Sequence, residues 1–300
     1  MAQASIAGAG SAGQNGAPNI SLVSQRTRAW RTFRRNKSAL FGLGMIVLVI
    51  AIAVLAPLLA PYDPIVQDTV NRLERPSSEH WLGLDHFGRD VLSRIIYGTQ
   101  VALIIGIASV ALGGVLGTAM GIVAGYFGGR ISSLIMRVVD ILLSFPDLIT
   151  GLLVVAVLGT GMTKLIIAIG LTIAPRFARI AYGPTLSVKE KEFVEAARAL
   201  GQRTRIILSR HILPNVAGEL LVLASLWTAQ AIRLEASLSF VGLGVQPPTP
   251  TWGQMIRDGT VYLTNFPLLA IAPGVALLFT VFAFNLVGDG LRDVLDPKSK

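Results

Sequence analysis

The chain alternates long apolar runs with shorter polar ones. A helix that crosses a bilayer needs about 20 mostly apolar residues. Six runs meet or approach that length. Ala39 to Ala60 carries no charge, and Gly98 to Gly129 is rich in Gly and Ala. Val138 to Leu158 is interrupted by Asp140 and Asp147, and Leu165 to Tyr182 takes Arg176 and Arg179 into its last turns. Ile212 to Ile232 contains Glu219, and Phe266 to Gly288 is the sixth. The pattern predicts an all-α integral membrane protein with six transmembrane helices. It divides into a basic tail over 1–37, a first helix over 38–60, an external loop over 61–97, a five-helix core over 98–288 that carries a loop at 183–213, and a tail over 289–300.

Composition supports the membrane reading. Hydrophobic residues make up 52% of the chain and charged residues 14%, against roughly 25% charge in soluble domains. Mean hydropathy is +0.63. Cysteine is absent, which excludes a disulfide framework and thiolate metal sites. The net charge of +9 suggests nucleic acid in a soluble protein. Here the positives concentrate in particular loops, so they report topology. The segment from Arg176 to Arg210 holds eight Lys or Arg, whereas 61–97 has more acids than bases. Both termini and 183–210 are expected on the cytoplasmic side, and 61–97, 159–164 and 233–265 outside. The first run reads as an uncleaved anchor, since a long tail precedes it and it exceeds a usual signal h-region. Residues 1–20 lack periodicity and read as disordered.

Several local patterns carry chemistry. Ser187-Val188-Lys189-Glu190 has the Ser-x-x-Glu form of a capping box, and Gly201 suits a helix C-terminus. Between them Phe193, Ala197 and Leu200 share one face, with Lys191, Glu195 and Arg198 opposite. Such a helix either lies on lipid headgroups or docks on a soluble partner. Asp85, Arg89, Asp90 and Arg94 alternate in sign, as on a solvated, salt-bridged helix face. Gly113, Gly117, Gly121 and Gly125 recur at four-residue steps that let helices approach closely, as at a subunit interface. Asp140 follows Arg137 at ion-pairing distance, Asp147 follows Pro146 at a possible break, and Glu219 lies about 10 Å into its helix. Gln246-Pro247-Pro248-Thr249-Pro250 predicts a stiff external linker. His80, His86 and His211 read as surface residues, not metal ligands. No Gly-x-x-x-x-Gly-Lys-Ser/Thr run is present, so this chain has no phosphate-cradling loop. No nucleophile–base pair is evident either.

Glu195-Ala196-Ala197, Gly201 four residues on, and Leu213-Pro214 twelve residues beyond that resemble the signature loop of permease subunits of bacterial ATP-binding-cassette importers. His211 stands where that pattern prefers Ile. Trp30 to Leu43, Leu82 to Gly98, Leu238 to Gly253 and Phe284 to Pro297 resemble the C-type permeases of the dipeptide and oligopeptide branch. The resemblance implies the type I importer permease fold, with Glu195, Ala196, Ala197, Gly201, Leu213 and Pro214 as the residues coupling it to an ATPase. It implies an inner-membrane location and four kinds of neighbour: a homologous second permease, two ATPase subunits, an extracytoplasmic solute-binding protein and lipid. Nucleic acid is not among them. ATP and Mg would be bound by the ATPase subunits; this chain would hold no cofactor or metal and would not be an enzyme. Di- and oligopeptides are the implied cargo, with nickel, glutathione and opine-like solutes as alternatives. A secondary transporter is the rival from another class. It would need no Glu-Ala-Ala loop and would place proton-coupling carboxylates at mid-span.

Overall fold

Asn36 opens the first helix. Its side chain accepts the Ala39 amide at 3.1 Å, one of the donors left free at a helix start. The computed structural model describes residues 36–295, so the expectations for residues 1–20 and for the basic tail through Arg35 lie outside the described residues. Helix α1 runs Lys37–Val54 and is followed by one short helical turn, α2, Ala56–Leu59. The break has a chemical cause. Pro57 has no amide to bond the Ala53 carbonyl, and Gln100 Nε2 donates to that carbonyl instead, at 2.7 Å.

The second long helix, α3, spans Val91–Phe127 and so starts before the expected Gly98. Asp90 caps it, accepting the Ser93 amide at 2.7 Å. The long α6, Met162–Lys189, packs along it. The small residues of α3 explain the closeness. A Cβ at Gly113, Gly117 or Gly121 would lie 2.5, 2.1 or 2.3 Å from the carbonyl oxygens of Gly170, Ala174 and Ala178. The four-residue glycine steps are therefore used inside the chain, against α6, and not at the subunit interface the sequence suggested. Helix α6 is continuous despite Pro175 and Pro184.

The third apolar run is not one straight span. It is α4, Gly129–Leu143, and α5, Asp147–Leu158, bent by 100°. Ser144 and Phe145 separate the two, and Pro146 is held extended at φ −58°, ψ 137° ahead of α5. The expected break before Asp147 is real. Helix α7, Glu192–Ala199, α8, Thr204–Ile206, and a π-helical segment, Ile207–Ile212, lead into α9, Leu213–Phe240. Helices α10, Trp252–Thr260, and α11, Leu268–Leu295, complete the described chain. Five of these helical stretches are long and apolar enough to cross a membrane, and the bent pair brings the number to six if it counts as one span.

Residues 60–90 form a folded cap beside α10. Asp85, Arg89, Asp90 and Arg94 are 9%, 3%, 3% and 1% exposed. They are a buried cluster, not the solvated helix face expected from their spacing. Only Arg94 lies in a helix, because a turn closed by the Leu84–Asp90 bridge carries the others. Buried charges need partners. Arg89 Nε donates to Asp85 at 2.7 Å, Arg94 Nη1 to the Pro64 carbonyl at 2.9 Å, and His80 Nδ1 lies 3.0 Å from Asp90. Trp252, fully buried, fits over Gly98 and donates Nε1–H to the Ile95 carbonyl at 3.1 Å.

Candidate functional site

The loop between α6 and α9 is built as a small rigid unit. Helix α6 continues past Ser187 to Lys189, because Thr185 and Val188 keep its buried stripe in register. The Ser-x-x-Glu pattern therefore caps nothing, and Lys191 occupies the start of α7 without a side-chain cap. At the other end the expectation for Gly201 holds. It adopts φ +70°, the left-handed conformation that glycine takes without strain. Its amide bonds the Arg198 carbonyl at 2.9 Å, and the Gln202 amide bonds the Ala197 carbonyl at 3.0 Å. This pair of bonds is a Schellman closure.

The inward face of α7 is Val194, fully buried, and Ala197, 8% exposed. Both join a core with Val188, Ile207 and Ile212. The expected stripe of Phe193, Ala197 and Leu200 is thus split. Phe193 and Leu200 are 41% and 87% exposed, and they share the outer surface with Glu192, Glu195, Ala196 and Ala199. The spacing of four and three positions fitted either face, and Val194 took the core position because it projects between α6 and the π segment. Three contacts fix the unit to its surroundings. Arg198 lies over the Tyr126 ring at 4.9 Å and donates to its hydroxyl at 3.3 Å. His211 Nε2 donates to Gln202 Oε1 at 2.9 Å, and its ring lies 6.1 Å from that of Phe193. The departure at His211 therefore has a structural use.

Leu213 and Pro214 form the first turn of α9, directly after the π turn. Pro214 cannot donate to the Arg210 carbonyl, and a widened turn accommodates the missing bond. Asn215 Nδ2 donates to the His211 carbonyl at 2.7 Å. Leu213 and Pro214 are exposed, so five of the six signature residues face outward or shape the turns, while Ala197 packs inward. Leu213 also borders a broad apolar groove of about 890 Å³ between α3 and α9, whose walls include Val115, Ile122, Phe177, Leu220 and Thr228. Glu219 is exposed and is not among the groove residues.

Charges in the spans pair across elements. Asp140 on α4 meets Arg179, and Asp147 on α5 meets Arg176 at 2.6 Å. Arg137, the expected partner of Asp140, is not the one used, because α6 lies alongside and presents Arg176 and Arg179 on one face. The Arg176 guanidinium also lies 4.7 Å from the Trp227 ring centre. In the sequence the two arginines stand out only as interruptions of a span. Their spacing on one face of a helix, opposite two acids of the preceding run, was the available signal. Glu235 was missed altogether. It is 1% exposed and accepts the Ser239 hydroxyl at 2.6 Å.

Residues 117–300 match the family described as binding-protein-dependent transport system inner membrane component, and residues 24–76 match the N-terminal transmembrane domain of oligopeptide transport permease C. The chain is 44% identical to the glutathione transport system permease protein GsiD of Pectobacterium atrosepticum over 90% of each protein. It is 40% identical to the dipeptide transport system permease protein DppC of Alkalihalophilus pseudofirmus, over 93% of this chain and 91% of that one. Among solved structures, a chain of the MetNI methionine ABC transporter in an inward-facing conformation aligns with a TM-score of 0.55 and 20% identity, covering 68% of this chain and 97% of its own. That likeness concerns the fold. The chain belongs to the binding-protein-dependent transport system inner membrane component family, and within it to the importer permeases of the peptide branch.

Proposed function

We propose that this inner-membrane chain forms one half of the translocation path of an ATP-driven importer for di- and oligopeptides, and that α7 is the element through which an ATPase subunit moves it. The observation that carries the reading is the outer face of α7. Its Phe193 and Leu200 are exposed while its inner face is locked to the core. A rigid helix with an uncovered apolar edge, on a loop rich in Lys and Arg, suits a soluble partner. Small Ala196 and Ala199 let that partner approach closely, and Glu195 offers it a charge. Partners are a second, homologous permease, two ATPase subunits and an extracytoplasmic binding protein. ATP and Mg²⁺ bind to the ATPases, and this chain performs no chemistry of its own. Nucleotide-driven closure of the ATPases swings α7, and the π turn and Pro214 pass the movement to α9. The curated relatives carry glutathione or dipeptide in their names, and cargo containing a peptide bond is common to both. The test is reconstitution of the complex in proteoliposomes with the binding protein supplied outside. ATP-dependent accumulation of labelled dipeptide or glutathione is expected. Accumulation that follows a proton gradient and ignores ATP would overturn the reading in favour of a secondary transporter.

A further inference from the structure

Where α5, α6 and α9 meet, a cavity of about 130 Å³ is lined by Asp147, Trp227, Gln230, Arg233 and Ser237, backed by Ile173 and leucines. Its charges do not cancel. Asp147 is held by Arg176 at 2.6 Å. Arg233 donates to the Gln230 side-chain oxygen and, among the described residues, forms no ion pair. The cavity is therefore left with one surplus cation. Asp147 and Arg176 are each 35% exposed and Arg233 is exposed, yet Arg176 Nε is buried without a hydrogen-bond partner.

Depth makes this arrangement informative. Leu158 of α5, Met162 of α6 and Phe240 of α9 end on the same side, since Gly151 packs on Leu234 and Leu238. By helix rise, Arg233 lies about 10 Å in from the end of α9, Asp147 about 17 Å in from the end of α5, and Trp227 and Arg176 about 20 Å in from theirs. An exposed charge at such depth is costly against lipid, and it marks a water-filled path or a polar solute.

We propose that this cavity is a cargo subsite in the translocation path, in which Arg233 receives the free carboxylate of a peptide. The guanidinium is a planar fork that matches a carboxylate with two hydrogen bonds. Gln230 holds the fork from behind, and Asp147 keeps Arg176 from competing for the anion. The Trp227 ring gives an apolar surface for the adjoining side chain. A single cation binds weakly enough for release, as a transport path requires. The inference rests on the peptide-cargo reading given above.

The experiment uses the complete complex in proteoliposomes. It compares uptake of a labelled dipeptide with that of its C-terminal amide, for wild type, Arg233→Gln and Arg233→Lys. Because the binding protein is the same in every arm, the ratio between variant and wild type isolates this chain. Arg233→Gln should lower uptake of the free acid roughly tenfold, the scale of one lost charge-assisted bond, and leave amide uptake within about twofold. Arg233→Lys should recover part of the preference. Equal loss for both peptides, or no change for either, would overturn the subsite. So would dissociation of the permease pair in Arg233→Gln, which would assign Arg233 to an acid of the second permease. Wild-type complex that imports neither form would overturn the peptide-cargo reading and the subsite with it, and it is distinguishable because no variant is needed to see it.

Discussion

At the residue scale, small side chains and paired charges do different jobs. Gly117 is a steric requirement. A methyl there would lie 2.1 Å from the Ala174 carbonyl, and backbone cannot yield as a side-chain tip can. Gly117→Ala should destabilise the folded chain by about 1–3 kcal/mol, the usual cost of overpacking. Thermal unfolding of the detergent-solubilised protein reads it, and an unchanged midpoint would mean that α3 and α6 separate easily. The Asp140–Arg179 pair is half-exposed, so its direct attraction is modest where water reaches it. Removing one partner strands the other near lipid. Asp140→Asn should therefore reduce the amount of protein in the membrane, and the double variant with Arg179→Gln should restore much of it. Two additive losses would show that the residues do not act as a pair. In the cap, burial pushes the His86 imidazole below its ordinary 6.5, ahead of the opposing pull of Asp85 and Asp258. A group whose folded pKa is depressed favours the folded state while neutral, so its contribution is present above about 6.5 and is lost as pH falls through that region. Protease sensitivity of residues 61–90 should rise on acidification from pH 7 to 5 in wild type, and less so in His86→Phe, where the stacked ring beside Tyr262 is kept.

Elements were legible in the sequence where one principle decided them, and illegible where two competed. Apolar length located the spans, and Pro146 marked the break between α4 and α5. The extent of that break, a bend of 100°, depends on how the two pieces pack and has no local signature. Gly201 was readable because only a left-handed residue completes the closure of α7. Ser187 was misleading because a capping pattern is worth less than the continued packing of Thr185 and Val188. The apolar stripe of α7 is ambiguous in the sequence for a related reason. A helix of eight residues has too few turns for its period to select between Val194 and Phe193, and only the neighbouring π segment settles it. The burial difference yields a prediction that separates folding from coupling. Val194→Asp should prevent accumulation of folded protein, since it buries a charge without a partner. Ala196→Trp should leave the chain folded and in the membrane, yet release the ATPase subunits and abolish ATP-driven uptake. Co-purification reads the second effect, and an intact, active complex carrying Ala196→Trp would remove α7 from the coupling interface.

At the scale of the whole molecule, the polar surfaces gather at two opposite ends. The cap over residues 60–90 lies with α10 and the Gln246–Pro250 linker, and Arg94 links them through the carbonyls of Pro64 at 2.9 Å and Pro248 at 3.5 Å. The α7 unit lies at the far ends of α3, α6 and α9, where Arg198 reaches Tyr126 near the close of α3. One long helix, α3, therefore has the cap at its start and α7 at its finish. Whichever side one of these faces, the other faces the opposite compartment. The asymmetry of Lys and Arg predicts a cytoplasmic α7, because short basic loops resist translocation. The chain contains no cysteine, so one introduced thiol is an unambiguous reporter. Ser78 and Arg203 are both exposed. In intact cells Ser78→Cys should react with a membrane-impermeant maleimide applied outside. Arg203→Cys should react only after the inner membrane is opened. The reverse pattern would invert the molecule, place α7 beyond the reach of any cytoplasmic ATPase, and leave the proposed coupling without a partner.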